Sequence, residues 1–423
     1  YLAAKYGGGI FLLIYILLAL TFGYTMIVAE SALGRMTRKS PVGALKAFGK
    51  KAGWLSFGGW INAIIPVLIV PYYSVIGGWV IKYLIEYVKG NGTKLAADGY
   101  FSEFISNGAS TEICFVIFCM FTLSIIYAGV RNGIERVSKF MMPILVVLSV
   151  IIAIYSVTRP GAMAGVKYFL VPNLKNFSWM TVVAAMGQMF YSLSIAMGIL
   201  ITFGSYMKKD SSIEDSTRNV EVFDTAIAIM AGLMIIPAVF AFSGGDPDTL
   251  QAGPALMFIT IPKVFANMGF GTVVGILFFL LVLFAAVTSS IALTESAVST
   301  FEDEIGWSRR KSTAVIGIIM IALGTLSCLG YGPLAFVKII GMQFLDFFDF
   351  LTNSVMMPIA AMMISIFVSK VVGIDRIEEE IRHGEAAFRR KKIFVVMIKY
   401  LCPIFAMIIL ASSVANAFGW ISM

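Results

Sequence analysis

Residues 271–301, GTVVGILFFLLVLFAAVTSSIALTESAVSTF, form an apolar run in which Glu295 is the single charged residue. About 20 apolar residues in a helix cross the hydrocarbon core of a bilayer, so this run is long enough to span a membrane. Nine more runs of comparable character lie on either side of it: 10–32, 54–86, 112–129, 138–158, 179–207, 220–244, 312–331, 347–371 and 394–416. The sequence therefore predicts an all-α polytopic membrane protein with about ten transmembrane helices.

The composition favours the same class and excludes others. Hydrophobic residues make up 59% of the 423 residues and charged residues 13%, whereas soluble domains carry about 25% charged residues. The mean hydropathy is +0.89. Four cysteines, all inside apolar runs, are too few for the disulfide framework of a secreted protein.

Basic residues concentrate in every second connection between the apolar runs. Most of the Lys and Arg residues fall in 33–53, 130–139, 208–219, 302–311 and 372–393. The positive-inside rule makes these connections cytoplasmic, and ten spans then place both chain ends outside. The net charge of +8 is thus a signal of topology, and we expect a multi-pass protein of the cytoplasmic membrane that binds no nucleic acid.

The chain offers little for enzyme chemistry. Its one histidine, His383, lies among glutamates in a charged connection, where a solvated helix face is the ordinary interpretation. A single histidine gives no His-pair metal site. The run Gly7-Gly8-Gly9 lacks the Lys and Ser/Thr of a phosphate-binding loop. We expect neither an enzyme nor a bound cofactor.

Polar residues inside the run 271–301 are candidates for ion binding. Ala285, Thr288 and Ser289 share one helix face, and their carbonyl and hydroxyl oxygens suit a small hard cation. The alternative is that Thr and Ser bond back to carbonyls of their own helix. Glu295 lies on the same face, either hydrogen-bonded into helix packing near Glu30 or lining an inward release path.

The run 179–207 is long for a straight crossing and contains Gly187, Ser192, Ser194 and Gly198. These residues permit a broken helix, whose free backbone groups bind ions and substrates in many transporters. Small residues at helix contacts explain the same pattern, and periodicity does not decide between the two interpretations.

Several of these stretches together resemble the neurotransmitter:sodium symporter family, and its bacterial branch in particular. GGGIFLLIY (7–15) through ESALGR (30–35) resembles the family's second helix, and Tyr72-Tyr73 with Trp79 resembles its third. GQMFYSLS (187–194) resembles the unwound centre of the sixth helix, and Thr288-Ser289-Ser290 the eighth. The resemblance runs from one end of the chain to the other.

The resemblance implies a leucine-transporter-type inverted-repeat fold, with 1–423 as a single transmembrane transporter domain. Residues 1–158 would form the remainder of the first repeat, 179–371 the second repeat, and 394–416 an additional helix. The family's first helix would precede Tyr1, and we expect this chain to lack it. In the family that helix supplies ligands to both sodium ions and the arginine of the outer gate.

Carried over to this chain, the family's sodium sites fall on five residues. The second site would use the Ala285 carbonyl with the Thr288 and Ser289 hydroxyls, and the first would keep Ser192 and Asp224. Many relatives have Asn at the position of Asp224. An anionic Asp224 would replace the chloride that animal members bind nearby, which implies chloride independence.

The resemblance also assigns the substrate pocket and the gates. The pocket would comprise Ile69, Tyr73, Tyr191, Ser192, Ser194, Met197, Ser290 and Leu293, with Tyr73 and Tyr191 as an aromatic lid. Asp349 would belong to the outer gate, and Asp303 with Tyr206 to the inner gate, their arginine partners lying in the missing helix.

The function implied is sodium-coupled symport of a neutral hydrophobic or aromatic amino acid by alternating access, with Na⁺ as the coupling ion. The resemblance also allows a homodimer as the oligomeric state. The alternative is a non-transporting or truncated membrane protein that keeps the fold as an interaction scaffold.

Overall fold

Long helices dominate the computed structural model, which describes residues 2–51, 53–244 and 253–420. Within those residues nine helices are long and apolar enough to cross a bilayer. In chain order the helices are α1 (Gly9–Thr37), α2 (Gly53–Val88), α3 (Gly108–Tyr127), α4 (Val130–Val157), α5 (Trp179–Ser192), α6 (Ile199–Tyr206), α7 (Ile213–Ser243), α8 (Gly271–Ile305), α9 (Arg309–Leu329), α10 (Phe344–Val372) and α11 (Lys391–Ala417). Nine of the ten predicted runs are thus long helices, and the run 179–207 is the pair α5 and α6.

Several of the connections predicted to be cytoplasmic are shorter than the sequence predicts. α4 already begins at Val130, α7 at Ile213 and α9 at Arg309. A short helix, Ile374–Arg382, occupies part of the connection 372–393. Glu, Lys and Arg are good helix formers, so the helices continue past the point where the apolar residues end.

α2 and α8 form the centre of the bundle. They pack against each other, and α8 also contacts α3, α4, α6 and α9. α5 lies against the first half of α1, and α6 against its second half. α7 packs on α4, and α10 on α11. α6 therefore lies between α1 and α8, whereas α5 lies between α1 and α11.

Two glycines allow α1 and α6 to approach closely. A Cβ on Gly34 would lie 2.0 Å from the Ile201 carbonyl oxygen, and one on Gly204 would lie 2.6 Å from the Ser31 carbonyl oxygen. Backbone atoms cannot move aside as a flexible side chain does, so this contact requires glycine at both positions.

An aromatic cluster lies near the C-terminal end of α2 and the N-terminal end of α8. The Phe101 and Phe258 rings stack with centroids 5.2 Å apart, and Trp79 meets Phe101 edge-on at 5.3 Å. The Tyr83 hydroxyl donates to the Phe258 carbonyl at 2.8 Å. Offset and edge-on pairs are favourable aromatic geometries, and here they fix two short helices, Tyr100–Ser106 and Leu256–Ala266, to α2.

Candidate functional site

The helix formed by the run 179–207 is broken at its centre. α5 ends at Ser192 and α6 begins at Ile199. Ser194, Ala196 and Gly198 between them adopt φ values of 54°, 58° and 71°. This left-handed region is unfavourable for residues other than glycine, so tertiary contacts must hold the segment. Of the two interpretations of this run, the structure adopts the broken helix.

Glu30 of α1 anchors the break. Its side chain is fully buried, and one carboxylate oxygen accepts a hydrogen bond from the Ala196 backbone N–H at 2.8 Å. The other oxygen has no hydrogen-bond partner among the described residues. A buried carboxylate costs free energy in an apolar bundle, and the bond to Ala196 offsets part of that cost by satisfying a backbone group that the break leaves free.

A cavity of about 480 Å³ lies beside the break. All the residues predicted for the substrate pocket except Ser290 line it, namely Ile69, Tyr73, Tyr191, Ser192, Ser194, Met197 and Leu293. Met142, Gln188, Ile199, Thr288, Ser289 and Ala292 complete the lining. The structure thus brings α2, α4, α5, α6, the break and α8 together around one space.

Ser290 does not line this cavity, which corrects its placement in the predicted pocket. Its fully buried hydroxyl accepts from Thr122 of α3 at 3.2 Å. At about 100° per residue, Ser290 lies about 200° around α8 from Thr288, beyond the arc of the lining residues Thr288, Ser289 and Leu293. A run of three hydroxyl residues on a helix cannot point all of them into one space.

The hydroxyl of Thr288 bonds back to its own helix. It donates to the carbonyl oxygens of Phe284 at 3.1 Å and Ala285 at 3.0 Å. This is the alternative that the sequence left open. Because the hydroxyl uses its hydrogen in these bonds, its lone pairs stay available, and Thr288 and Ser289 both border the cavity.

Asp224 is deeper in α7 than the hydropathy of run 220–244 suggests. It lies eleven residues after the helix start at Ile213, or about 16 Å at 1.5 Å per residue. Its carboxylate accepts from the Ser192 hydroxyl at 2.5 Å and from the Tyr15 hydroxyl. Among the ion pairs of the described residues none involves Asp224, so hydroxyl groups alone compensate its charge.

Asp349, predicted for the outer gate, lies among polar groups. It accepts hydrogen bonds from the Tyr72 hydroxyl at 3.2 Å and from the Asn353 amide at 2.5 Å. Nearby, Tyr331 donates to Asp346 at 3.1 Å. Burial, reinforced by the Asp346 charge, raises the pKa of Tyr331, which keeps this hydroxyl a neutral donor.

The predicted inner-gate residues have different partners from those expected. Tyr206 donates to Glu295 at 2.7 Å rather than to Asp303, and Arg309 binds both Glu295 oxygens, at 2.5 and 3.1 Å. Asp303 accepts from the Ser40 backbone N–H at 2.5 Å. The partner of Glu295 is therefore Arg309, not Glu30. Both clusters join α8 to elements at the end of the bundle that the charge pattern predicts to be cytoplasmic.

Sequence reasoning missed several residues at the site, including the lining residues Met142, Gln188, Ile199 and Ala292. Tyr15 and Gln188 stood inside the quoted motifs, and a polar side chain within an apolar run is a signal for each. Arg309 is an arginine at the start of α9, and only the fold brings it to Glu295. Met142 gave no signal, because an apolar residue in an apolar helix can face either lipid or a cavity at similar cost.

Comparisons with known proteins agree with this geometry. The profile of the Sodium:neurotransmitter symporter family matches residues 1–97 and 100–419. An uncharacterised sodium-dependent transporter of Bacillus subtilis is 34% identical over 390 residues, covering 92% of this chain and 85% of its own. One from Methanocaldococcus jannaschii is 29% identical over 398 residues, covering 90% and 78%.

A solved structure is also similar. The crystal structure of MhsT in complex with L-phenylalanine superposes with a TM-score of 0.87 at 33% identity, covering 98% of this chain and 93% of that one. These relatives are transporters, not enzymes, and they confirm the leucine-transporter-type fold that the sequence motifs predict.

Proposed function

Because this chain belongs to the Sodium:neurotransmitter symporter family, for which Na⁺ is the coupling ion, we propose that it imports a neutral hydrophobic or aromatic amino acid across the cytoplasmic membrane. The observation that carries the proposal is the carboxylate of Asp224. It is bound by hydroxyl groups alone, and one of them belongs to Ser192, which lines the cavity. This carboxylate is partly buried, and a carboxylate in such a place without a cationic partner favours the binding of a cation.

The lining of the cavity supports a neutral substrate. No charged side chain is among the residues that line it, so a charged substrate side chain would lose its hydration without gaining a partner. Ile69, Met197 and Leu293 offer apolar surface, and the thioether of Met197 adapts to varied shapes. The solved structure of MhsT holds L-phenylalanine, which favours an aromatic amino acid here.

The polar groups of the cavity support the binding of Na⁺ next to the substrate. Ser192 and Thr288 line the cavity; Ser192 is bonded to Asp224, and the Thr288 hydroxyl lies 3.0 Å from the Ala285 carbonyl oxygen. Hard cations prefer such oxygen ligands. The unwound residues 193–198 leave backbone groups free for the carboxylate and amino groups of the substrate.

Alternating access would then move the cavity between the two sides of the membrane. The polar cluster of Asp349 and Tyr72 would close the outer path, and the cluster of Tyr206, Glu295 and Arg309 the inner path. A homodimer stays a prediction.

The test is Na⁺-driven uptake of labelled L-phenylalanine by the full chain in proteoliposomes. Replacing Thr288→Val together with Ser289→Ala removes two hydroxyls at nearly constant volume. We expect the stimulation of uptake by an imposed Na⁺ gradient to be abolished, because the oxygen ligands on α8 are lost.

Ser290→Ala is the matched control. It removes the adjacent hydroxyl, which faces Thr122 instead of the cavity, and uptake should keep its Na⁺ dependence. Undiminished Na⁺ dependence in the double variant would overturn the assignment of this ion site, and absence of competition by other neutral aromatic amino acids would overturn the substrate class.

A further inference from the structure

A second cavity, of about 350 Å³, lies on the outer surface of the bundle between α3 and α9. Its walls are Met120, Leu123, Ser124, Tyr127, Arg310, Thr313, Ala314, Gly317, Ile318 and Ile321. The groove exists because α9 presents small residues there: a Cβ on Gly317 would come within 3.0 Å of Leu123. Large apolar side chains on its rim are exposed, with Ile318 68% and Met120 57% accessible. In a spanning helix, such a face contacts lipid.

The groove spans one leaflet. From Arg310 to Ile321 it follows eleven residues of α9, about 16 Å at 1.5 Å per residue, which is roughly half of a hydrocarbon core about 30 Å thick. Arg310 marks its end at the cytoplasmic connection 302–311. There the guanidinium lies 5.7 Å from the centre of the Tyr127 ring.

The cations at this end have no carboxylate partner. Among the described residues, neither Arg310 nor Lys311 forms an ion pair. The nearby acids are already engaged: Glu295 and Glu302 bind Arg309, and Glu304 binds Lys46. Arg310 and Lys311 also lie in the first turn of α9, where the positive end of the helix dipole adds to their charge.

We propose that this groove binds an anionic phospholipid of the cytoplasmic leaflet. One acyl chain lies between α3 and α9, and the phosphate lies against Arg310 and the first turn of α9. Charge complementarity selects this occupant. The basic residues Arg310 and Lys311 lie next to the end of the apolar groove, and a lipid with an acidic headgroup and an acyl chain matches both parts. The site lies on the face of α3 and α9 away from the transport cavity, and it does not depend on the proposed substrate.

The experiment is native mass spectrometry of the full chain released from phosphatidylcholine nanodiscs that contain either phosphatidylglycerol or phosphatidylethanolamine. We expect the unaltered protein to retain phosphatidylglycerol preferentially. Arg310→Gln should retain about fivefold less, because a juxtamembrane cation contributes about 1 kcal/mol to such binding. Arg310→Lys should keep most of the retention, since it keeps the charge.

Ala314→Phe fills the groove without changing any charge and should lower the retention as Arg310→Gln does. Lys209→Gln removes an exposed cation from another cytoplasmic connection and should leave retention unchanged. Equal retention of the two lipids by the unaltered protein, or equal phosphatidylglycerol retention in all variants, would refute the proposal. A dimer that Ala314→Phe dissociates without loss of lipid would instead assign the groove to a second copy of the chain.

Discussion

Single side chains inside the bundle differ in how their charge is compensated. Glu295 has Arg309, and Glu380 has Arg35, each within 2.7 Å. Asp224 has hydroxyls only. An ion pair is already neutral, whereas a carboxylate bound by hydroxyls keeps its field and attracts a cation into the same low-dielectric space. The three acids thus have different roles: Glu295 and Glu380 are buried and paired with arginines, whereas Asp224 is partly buried and bound by hydroxyls.

We predict that Asp224→Asn weakens the apparent affinity for Na⁺ by at least about tenfold. This is equivalent to about 1.4 kcal/mol of lost charge–charge attraction. The amide keeps the size of the side chain and an oxygen for Ser192. The measurement is phenylalanine uptake in proteoliposomes as a function of Na⁺ concentration. Asp346→Asn, which removes an acid bound to Tyr331 instead, should leave that affinity within twofold of the unaltered protein, about 0.4 kcal/mol.

Asp224 also governs the expected response of uptake to chloride. Uptake by the unaltered protein should persist when gluconate replaces chloride, because Asp224 supplies the negative charge itself. Asp224→Ser should then make uptake chloride-dependent. A chloride requirement before any substitution would contradict this role of Asp224.

Among the helices, the broken pair α5 and α6 depends on its contacts with α1. Glu30 binds the break at Ala196, and beyond it the backbones of α1 and α6 meet at Gly34 and Gly204. The strained residues Ser194 and Ala196 persist only where surrounding structure fixes them. α1 therefore acts as the template on which the unwound segment is held.

We predict that Gly34→Ala lowers the free energy of unfolding by about 1–3 kcal/mol, the usual cost of overpacking, because the new Cβ meets the Ile201 backbone at 2.0 Å. Thermal unfolding of the detergent-solubilised chain followed by size exclusion measures the change. Gly187→Ala is the control, since no atom lies within 4 Å of its Cβ position. Equal stability of the two variants would show that α1 and α6 can separate freely.

For the molecule as a whole, one buried ion pair joins three distant parts of the sequence. Arg35 is fully buried at the end of α1 and binds the Glu380 carboxylate at 2.7 Å. It also donates to the Ser211 carbonyl at 2.5 Å and to the Glu380 carbonyl. The helix Ile374–Arg382 and the turn before α7 are in this way fastened to the end of α1, on the side predicted to be cytoplasmic.

We expect Glu380→Gln to destabilise the protein by about 3–5 kcal/mol, because the guanidinium of Arg35 stays buried without its counter-charge. Heating curves of the purified chain provide the measurement. Glu135→Gln breaks an exposed pair with Lys139, with side chains 51% and 76% accessible, and should cost about 0.3–0.5 kcal/mol. If both substitutions cost the same, the Arg35 pair does not hold the cytoplasmic elements together.

Much of the architecture could be predicted from the sequence because lipid imposes a rule that acts locally. A segment that spans the membrane in an all-α protein must be a long apolar run whose backbone groups are satisfied mainly within helices, so the ten runs are visible without knowledge of their neighbours. Thr288, Ser289 and Ser192 were visible for the same reason, since polar groups are costly within such runs, whereas Asp224 was identified only through the family resemblance.

The tertiary structure alone decided which partner each polar group has. Arg309 meets Glu295, Tyr15 meets Asp224, and Ser290 turns towards Thr122 instead of the cavity. The break after Ser192, which periodicity left open, forms because Glu30 on another helix binds it. Hydropathy depends on the residue and its neighbours along the chain, whereas a hydrogen bond or an ion pair depends on how helices are rotated and packed. For this protein the membrane-spanning class was a property of the sequence, and the composition of the site was a property of the packing.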